Sequence, residues 1–189
     1  MLKKGERGDG MDKLAVLRQY FGFPAFRAGQ QTLIDAVLSG RDALGVMPTG
    51  GGKSLCYELP ALLLPGMTLV VSPLISLMKD QVMALRNAGI PAGCINRSMS
   101  LDELRETYRD ARYGAYKLLY VAPERLLTDG FCSLAQELEI PLVAVDEAHC
   151  ISQWGQDFRP SYLKIVEFLQ RLPRRPAVAA FTATATAQV

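Results

Sequence analysis

Short, unbroken apolar runs recur along the chain, and the stretches between them carry apolar residues three or four positions apart. The runs at 43–47, 68–71, 117–121, 142–145 and 177–181 predict strands, and a less apolar run at 93–96 predicts a sixth. Ahead of them, Leu14, Val16, Leu17 and Tyr20 fall at helical spacing from Asp12, and a second helix is predicted from Gln30 to Leu38, closed by Ser39-Gly40. Ser72 followed by Pro73 has the form of a helix cap and first turn, leading into a stripe of Leu74, Leu77, Met78, Val82 and Leu85. Ser100 with Glu103 predicts a capping box before the next helix. Strands alternating with helices indicate an α/β protein with a mostly parallel central sheet, because parallel neighbours need a crossover helix to join them. Ligands of such sheets bind beyond the carboxyl ends of the strands. Those ends carry residues 48–54, Ser72-Pro73, Ala122-Pro123-Glu124, 146–149 and 182–186.

The chain's 189 residues suit one domain, assigned to 12–189, with residues 1–11 as a disordered tail because they mix charge and glycine without apolar periodicity. Hydrophobic residues make up 49% and charged residues 21%, which excludes a wholly disordered or collagen-like chain. No apolar run approaches the roughly 20 residues of a membrane span, and none follows the basic N-terminus as a secretory signal requires. A soluble, cytoplasmic protein with no membrane partner is expected. A net charge of +2 points to neither nucleic acid nor membrane. Cys56, Cys94, Cys132 and Cys150 form no CxxC pair and read as buried thiols, not as zinc ligands or disulfides.

Met47-Pro48-Thr49-Gly50-Gly51-Gly52-Lys53-Ser54 lies between a predicted strand and a helix, the arrangement of a phosphate-binding loop. Three successive glycines let the backbone curl so that its N–H groups and the following helix N-terminus converge on a phosphate. Lys53 is assigned to the β- and γ-phosphates of ATP and Ser54 to Mg²⁺. The general pattern opens with Gly where this chain has Met47, and a glycine-rich turn with a chance lysine is the competing reading. The apolar strand at 142–145 runs directly into Asp146-Glu147-Ala148-His149. Asp146 is assigned to Mg²⁺, usually through water, and Glu147 to the general base that polarises the attacking water. His149, the only histidine, is given a coupling role. Lys53 and Asp146 end different strands of one sheet, as ATP hydrolysis requires, provided that the two segments face each other.

Taken together, these segments resemble the superfamily 2 helicases, and specifically the RecQ-type DNA helicases, from about Leu14 to Thr186. The resemblance implies a P-loop NTPase of RecA-like, three-layer architecture. Phe21-Gly22-Phe23 with Phe26-Arg27-Ala28-Gly29-Gln30 is similar to the RecQ motif that frames adenine, which implies that Phe23 belongs to the nucleotide site, Arg27 braces that site and Gln30 reads the base edge. Without the family, Gln30 is an ordinary first-turn glutamine. Residues 72–81, beginning Ser72-Pro73, resemble a motif contacting one DNA strand, and residues 120–126, with Arg125, resemble another nucleic-acid-facing motif. The segment 151–160 holds Gln153, Trp154, Phe158 and Arg159 and is similar to the aromatic-rich loop that links DNA binding to ATP hydrolysis, although Gln156 stands where the family usually has His. Aromatic faces stack on unpaired bases and Arg159 suits phosphate, so single-stranded or duplex-junction DNA is the implied partner. Thr182 and Thr184 match the threonine-alanine-threonine motif that couples hydrolysis to movement, with hydroxyls directed toward Glu147 or His149.

Helicases of this class hydrolyse ATP between two RecA-like lobes, the second supplying arginine fingers worth ~10³–10⁵ in rate where such fingers have been tested. The chain ends at Val189, directly after the first lobe's last motif. The expectation is therefore an ATP-dependent DNA helicase motor lobe, unwinding 3′ to 5′ by resemblance, that is poorly active without its second lobe. A nucleotide or single-stranded-DNA binding module without turnover is the alternative, and a metabolic P-loop kinase is a third reading that leaves the Trp154 loop without a task.

Overall fold

The computed structural model describes residues 12–152 and 158–183. Helices α1 (Lys13–Phe21) and α2 (Gln30–Leu38) lead into strand β1 (Ala43–Val46). The chain then alternates through α3 (Leu55–Leu63), β2 (Thr68–Val71), α4 (Ile75–Asn87), β3 (Ala92–Ile95), α5 (Leu101–Arg112) and β4 (Leu118–Val121). It closes with α6 (Asp129–Glu137), β5 (Leu142–Val145), α7 (Lys164–Arg171) and β6 (Ala177–Thr182). The six strands form one sheet in the order β1-β6-β5-β2-β4-β3, and every neighbouring pair is parallel. Each of the six expected strands is present within one residue of its predicted ends.

Strands β2, β4 and β5 are buried at every position, which is why they read as unbroken apolar runs with no polar alternation. One face carries Val70, Tyr120, Ala144 and Phe181 against α2, α3 and α4. The other carries Leu69, Val121, Val143 and Val145 against α5, α6 and α7. Helix α1 forms an outer layer, with Val16 and Leu17 packed on Ile34, Leu55 and Leu59. Gly45 allows Phe181 to lie against β1, since a Cβ there would sit 2.7 Å from the ring. Phe181 in turn packs on Tyr57 of α3 with ring centroids 5.5 Å apart.

The Ser100–Glu103 capping box forms as expected, with the Glu103 N–H donating to the Ser100 hydroxyl at 3.2 Å and the Ser100 N–H to the Glu103 carboxylate at 2.7 Å. The Ser72–Pro73 cap does not. Ser72 stays in the ladder, its N–H donating to the Val121 carbonyl at 3.2 Å, so α4 starts only at Ile75, with Leu74 at its cap position. Leu74 consequently precedes the helix and is exposed, and the buried stripe is Met78, Val82 and Leu85. Cys56 and Cys150 are buried as expected, whereas Cys94 on the edge strand β3 and Cys132 are only half-buried. Among the described residues, no helix is long and apolar enough to cross a membrane.

Candidate active site

The loop 47–54 leaves β1 at one edge of the sheet, and 146–149 leaves β5 two positions away, with the end of β6 between them. The Met47 N–H donates to the Thr182 carbonyl at 2.9 Å, rooting the loop on β6. Gly50 and Gly52 have φ of 76° and 80°, left-handed values that a side chain would strain, and the Gly51 N–H closes a turn on the Pro48 carbonyl at 2.9 Å. Pro48, Thr49 and Gly50 are exposed, while Gly51 to Ser54 are half-buried against the start of α3. First-turn amides of a helix have no intrahelical acceptor, so the start of α3 adds donors to those of the loop.

Lys53 and the carboxylate segment do face each other: Lys53 Nζ lies 3.6 Å from Glu147 Oε1. Glu147 reaches it from a left-handed backbone, φ 49° and ψ 47°, the one positive φ outside glycine among the described residues. Such a conformation costs of order 1–3 kcal/mol and is held only where the surroundings enforce it. The other Glu147 oxygen lies 3.2 Å from His149 Nδ1, which is also 3.0 Å from the Thr182 hydroxyl. A carboxylate only accepts, so the Glu147 contact calls for a proton on Nδ1. Thr182 thus makes the approach to His149 that its motif implied.

Asp146 is buried, 8% exposed, and its Oδ1 accepts the Glu147 N–H at 3.0 Å. Its carbonyl accepts the Tyr162 hydroxyl at 2.8 Å from the short 3₁₀ turn Pro160–Leu163. Burial, and then the neighbouring Glu147 charge, raise the Asp146 pKa above the usual carboxylate value. A positive ion would relieve that cost. Among the described residues there is no cluster of three or more His, Cys, Asp or Glu side chains able to cage a metal. A hydroxyl from Ser54 with one carboxylate from Asp146 is nevertheless the sparse donor set that suits Mg²⁺, which keeps water and phosphate oxygens as its remaining ligands.

At the outer side of the loop, a cavity of about 380 Å³ is lined by Phe23, Arg27, Gln30, Gly52, Lys53 and Gln81. Larger clefts lie away from this chemistry, at the opposite edge of β5 and β6 and between α4 and α5. Phe23 is 47% exposed at the cavity mouth, and Gln30 is 2% exposed at its back. Of the residues matched to DNA motifs, Arg159 donates to the Pro73 carbonyl at 3.0 Å and Arg125 to the Asn96 carbonyl at 3.2 Å, so both are half-buried ties between loops at the carboxyl edge. Ser72 is buried with a hydroxyl that has no hydrogen-bond partner among the described residues, and Phe158 is half-buried. Gln153, Trp154 and Thr184 lie outside the described residues.

Four further residues have a place at the site: Gln81 and Tyr120 fall inside the segments matched to DNA motifs without being singled out there, and Tyr162 and Glu58 carry no motif signal. Gln81 lines the cavity from α4, Tyr162 anchors Asp146, and Glu58 and Tyr120 form a buried pair behind the phosphate loop, with the Tyr120 hydroxyl 3.2 Å from Glu58 Oε1. Burial pushes the Glu58 carboxyl up to about 7, offset in part by the Tyr120 hydrogen bond.

A parallel sheet with a glycine loop, lysine and acidic pair meeting at its carboxyl edge defines a P-loop nucleotide-binding domain of the RecA-like type. The chain matches the DEAD/DEAH box helicase family over residues 27–189 and belongs to it. The ATP-dependent DNA helicase RecQ of Bacillus subtilis (strain 168) is 52% identical over 176 residues, covering 93% of this chain and 30% of that protein. RecQ of Haemophilus influenzae is 49% identical over 172 residues, covering 91% and 28%. The chain therefore spans about three tenths of the length of these relatives, and the RecQ resemblance of its motifs extends to its overall sequence. Among solved structures, the DUF1998 helicase MrfA has a TM-score of 0.75 at 18% identity, over 96% of this chain and 31% of that one. A hypothetical ATP-dependent RNA helicase from Sulfolobus tokodaii has a TM-score of 0.70 at 23% identity, over 93% and 51%. At such identities these two bear on the fold, which is that of helicase RecA-like domains.

Proposed function

We propose that the chain is the ATP-binding motor lobe of a RecQ-like DNA helicase, in which hydrolysis of Mg-ATP drives movement along single-stranded DNA and duplex unwinding, 3′ to 5′ by its resemblance. The observation that carries this reading is the Lys53–Glu147 approach at 3.6 Å, continued through His149 to Thr182. Lys53 takes the negative charge of the β- and γ-phosphates. Glu147, held by its strained backbone and by His149, orients a water and accepts its proton on a carboxylate oxygen. Ser54 and Asp146 would hold Mg²⁺, which when bound supplies charge neutralisation on the triphosphate. Phe23, Arg27 and Gln30 receive the base. Thr182, and Thr184 by its motif, relay the state of His149 toward β6, while Ser72-Pro73, Arg125, Arg159 and Phe158, with Trp154 and Gln153 by their motif, are the residues assigned to DNA.

A second lobe in a longer chain supplies the arginine fingers, so the 189-residue chain binds ATP weakly and hydrolyses it slowly. ATPase rates with and without single-stranded DNA, for the wild type and Lys53→Ala, test the reading. DNA-stimulated hydrolysis that is lost on substitution supports the motor. Nucleotide binding with no turnover under either condition favours the binding module, and strand separation by this chain alone would refute the requirement for a second lobe.

A further inference from the structure

We infer that Gln81 of α4 is a specificity-determining residue for the sugar of the nucleotide, its carboxamide hydrogen-bonding a ribose hydroxyl. The inference rests on the nucleotide-binding reading above and extends it to the part of the ligand that lies between base and phosphates. The cavity of about 380 Å³ beside the loop is built from three parts of the chain. Phe23, Arg27 and Gln30 enter from the α1–α2 connection and the first turn of α2, the loop 50–54 supplies a second side, and Gln81 comes from α4. Gln81 lies three residues after Met78 and four before Leu85, so it falls on the face of α4 that those buried residues turn inward. It is accordingly half-buried at the cavity, where a glutamine on the outer face of the helix would extend into water.

The other polar side chains of the cavity are committed. Arg27 Nη1 donates to the Gly50 carbonyl at 2.5 Å, Gln30 Nε2 donates to the Gly52 carbonyl at 3.1 Å, and Gln30 Oε1 accepts the Arg27 backbone N–H at 2.8 Å. Lys53 faces Glu147, and Ser54 is assigned to Mg²⁺. Gln81 makes no side-chain hydrogen bond among the described residues, so its donors and its oxygen are open to a ligand. In a nucleoside triphosphate the sugar is the covalent link between base and phosphates. With the phosphates on the loop 50–54 and the base against Phe23 and Gln30, the sugar is left to the side that α4 supplies. A carboxamide suits that partner, because a hydroxyl both donates and accepts and Gln81 offers the complement of each. Being neutral, it competes poorly with Lys53 for phosphate, where charge-assisted bonds are the stronger ones. A group placed to bond a substrate hydroxyl also disfavours the analogue that lacks it, since its own polar atoms are then unpaired. Gln81 is only half-buried, so water can replace part of that loss, and the discrimination is of the order of one hydrogen bond.

Affinities of ATP, 2′-deoxyATP, 3′-deoxyATP and inorganic tripolyphosphate for the 189-residue chain, measured with Mg²⁺ by isothermal titration calorimetry, test the inference. The wild type is expected to bind ATP about fivefold more tightly than at least one of the two deoxy analogues, the value of one hydrogen bond. Gln81→Ala is expected to weaken ATP by that factor and to leave the same analogue and tripolyphosphate unchanged, so that the discrimination disappears. Gln81→Met, which keeps the length of the side chain and removes its amide, serves in its place if circular dichroism shows the alanine variant to be misfolded. Wild-type affinities that do not distinguish ATP from either analogue would overturn the inference. So would a Gln81→Ala variant that weakens ATP and both analogues equally, that weakens tripolyphosphate, or that weakens nothing. In each of those cases the nucleotide site still stands if Lys53→Ala weakens ATP and tripolyphosphate. If Lys53→Ala alters neither ligand, or the wild type binds neither, the nucleotide-binding reading itself fails and this inference with it.

Discussion

Replacing Glu58 with glutamine tests the buried polar chemistry behind the phosphate loop. The carboxyl is on α3, 7% exposed, on the face that also carries Tyr57, Tyr120 and Asp146, and its hydrogen-bond donor is the Tyr120 hydroxyl at 3.2 Å. Burial moves its pKa from 4.5 to about 7. The unfolded chain releases this proton near 4.5 and the folded chain near 7, so between those values the folded state binds the extra proton. Stability is therefore greatest below 4.5, declines as pH rises to about 7, and is flat above. At roughly 1.4 kcal/mol for each pH unit between 4.5 and about 7, the full effect is worth between about 3 and 4 kcal/mol, of which about 3 falls between pH 4.5 and 8. Glutamine keeps an oxygen for Tyr120 and has nothing to ionise. The buried Tyr57 hydroxyl, which has no hydrogen-bond partner among the described residues, interacts electrostatically with Glu58 and is a group the new amide could meet. Urea unfolding followed by circular dichroism at pH 4.5, 6, 7 and 8 should show Glu58→Gln gaining on the wild type by about 3 kcal/mol across the series. A constant difference over that range, or a variant that loses ground as pH rises, would refute the reasoning, because it would mean that Glu58 is ionised when folded at no cost.

Two further substitutions probe the acidic segment. Glu147→Gln removes the proton acceptor of the proposed hydrolysis but keeps a polar partner for Lys53, and on that reading should lower ATP turnover by at least about a hundredfold in a phosphate-release assay while ATP affinity changes by less than about threefold. Tyr162→Phe deletes the buried 2.8 Å bond to the Asp146 carbonyl and should cost about 1–3 kcal/mol in denaturant unfolding, the penalty for an unsatisfied buried acceptor.

Features set by local chain geometry could be read directly from residue order. The strands are visible because β2, β4 and β5 are buried on both faces, and the phosphate loop because its glycines and lysine are contiguous. The Ser100–Glu103 cap was readable because both partners lie within one turn. Ser72-Pro73 has the same local form, yet a tertiary bond to Val121 holds Ser72 in the sheet, and no local signal reports that bond. Arg27 and Gln30 were legible as a motif, but their bonds to Gly50 and Gly52 cross 22 or more residues and the meeting of α2 with the loop. Glu58 gives no sequence signal because a glutamate in a helix ordinarily faces water. Burial of α3 at Leu55 through Ala61 reverses that expectation, and it depends on α1, α2 and the sheet closing around the helix.

The same long-range bonds explain how one edge of the sheet can act as a unit. Loop 47–54 is rooted on the Thr182 carbonyl, and the Thr182 hydroxyl meets His149, which meets Glu147, which meets Lys53 of that same loop. These contacts form a closed circuit that ties Lys53 and Glu147 to the end of β6. On the far side of Asp146, the Tyr162 hydroxyl holds the Asp146 carbonyl, and the Tyr162 N–H donates to the Arg159 carbonyl at 2.9 Å. Arg159 in turn holds the Pro73 carbonyl at the entrance to α4. A displacement of Asp146 must therefore be absorbed by the turn that carries Arg159 and by the root of α4, both of which belong to the segments matched to DNA motifs. Packed, hydrogen-bonded contacts of this kind move together more readily than they stretch. Under the motor reading proposed above, the route from phosphate to the segments matched to DNA motifs would run through Asp146 and Tyr162 as well as through the threonine at the end of β6.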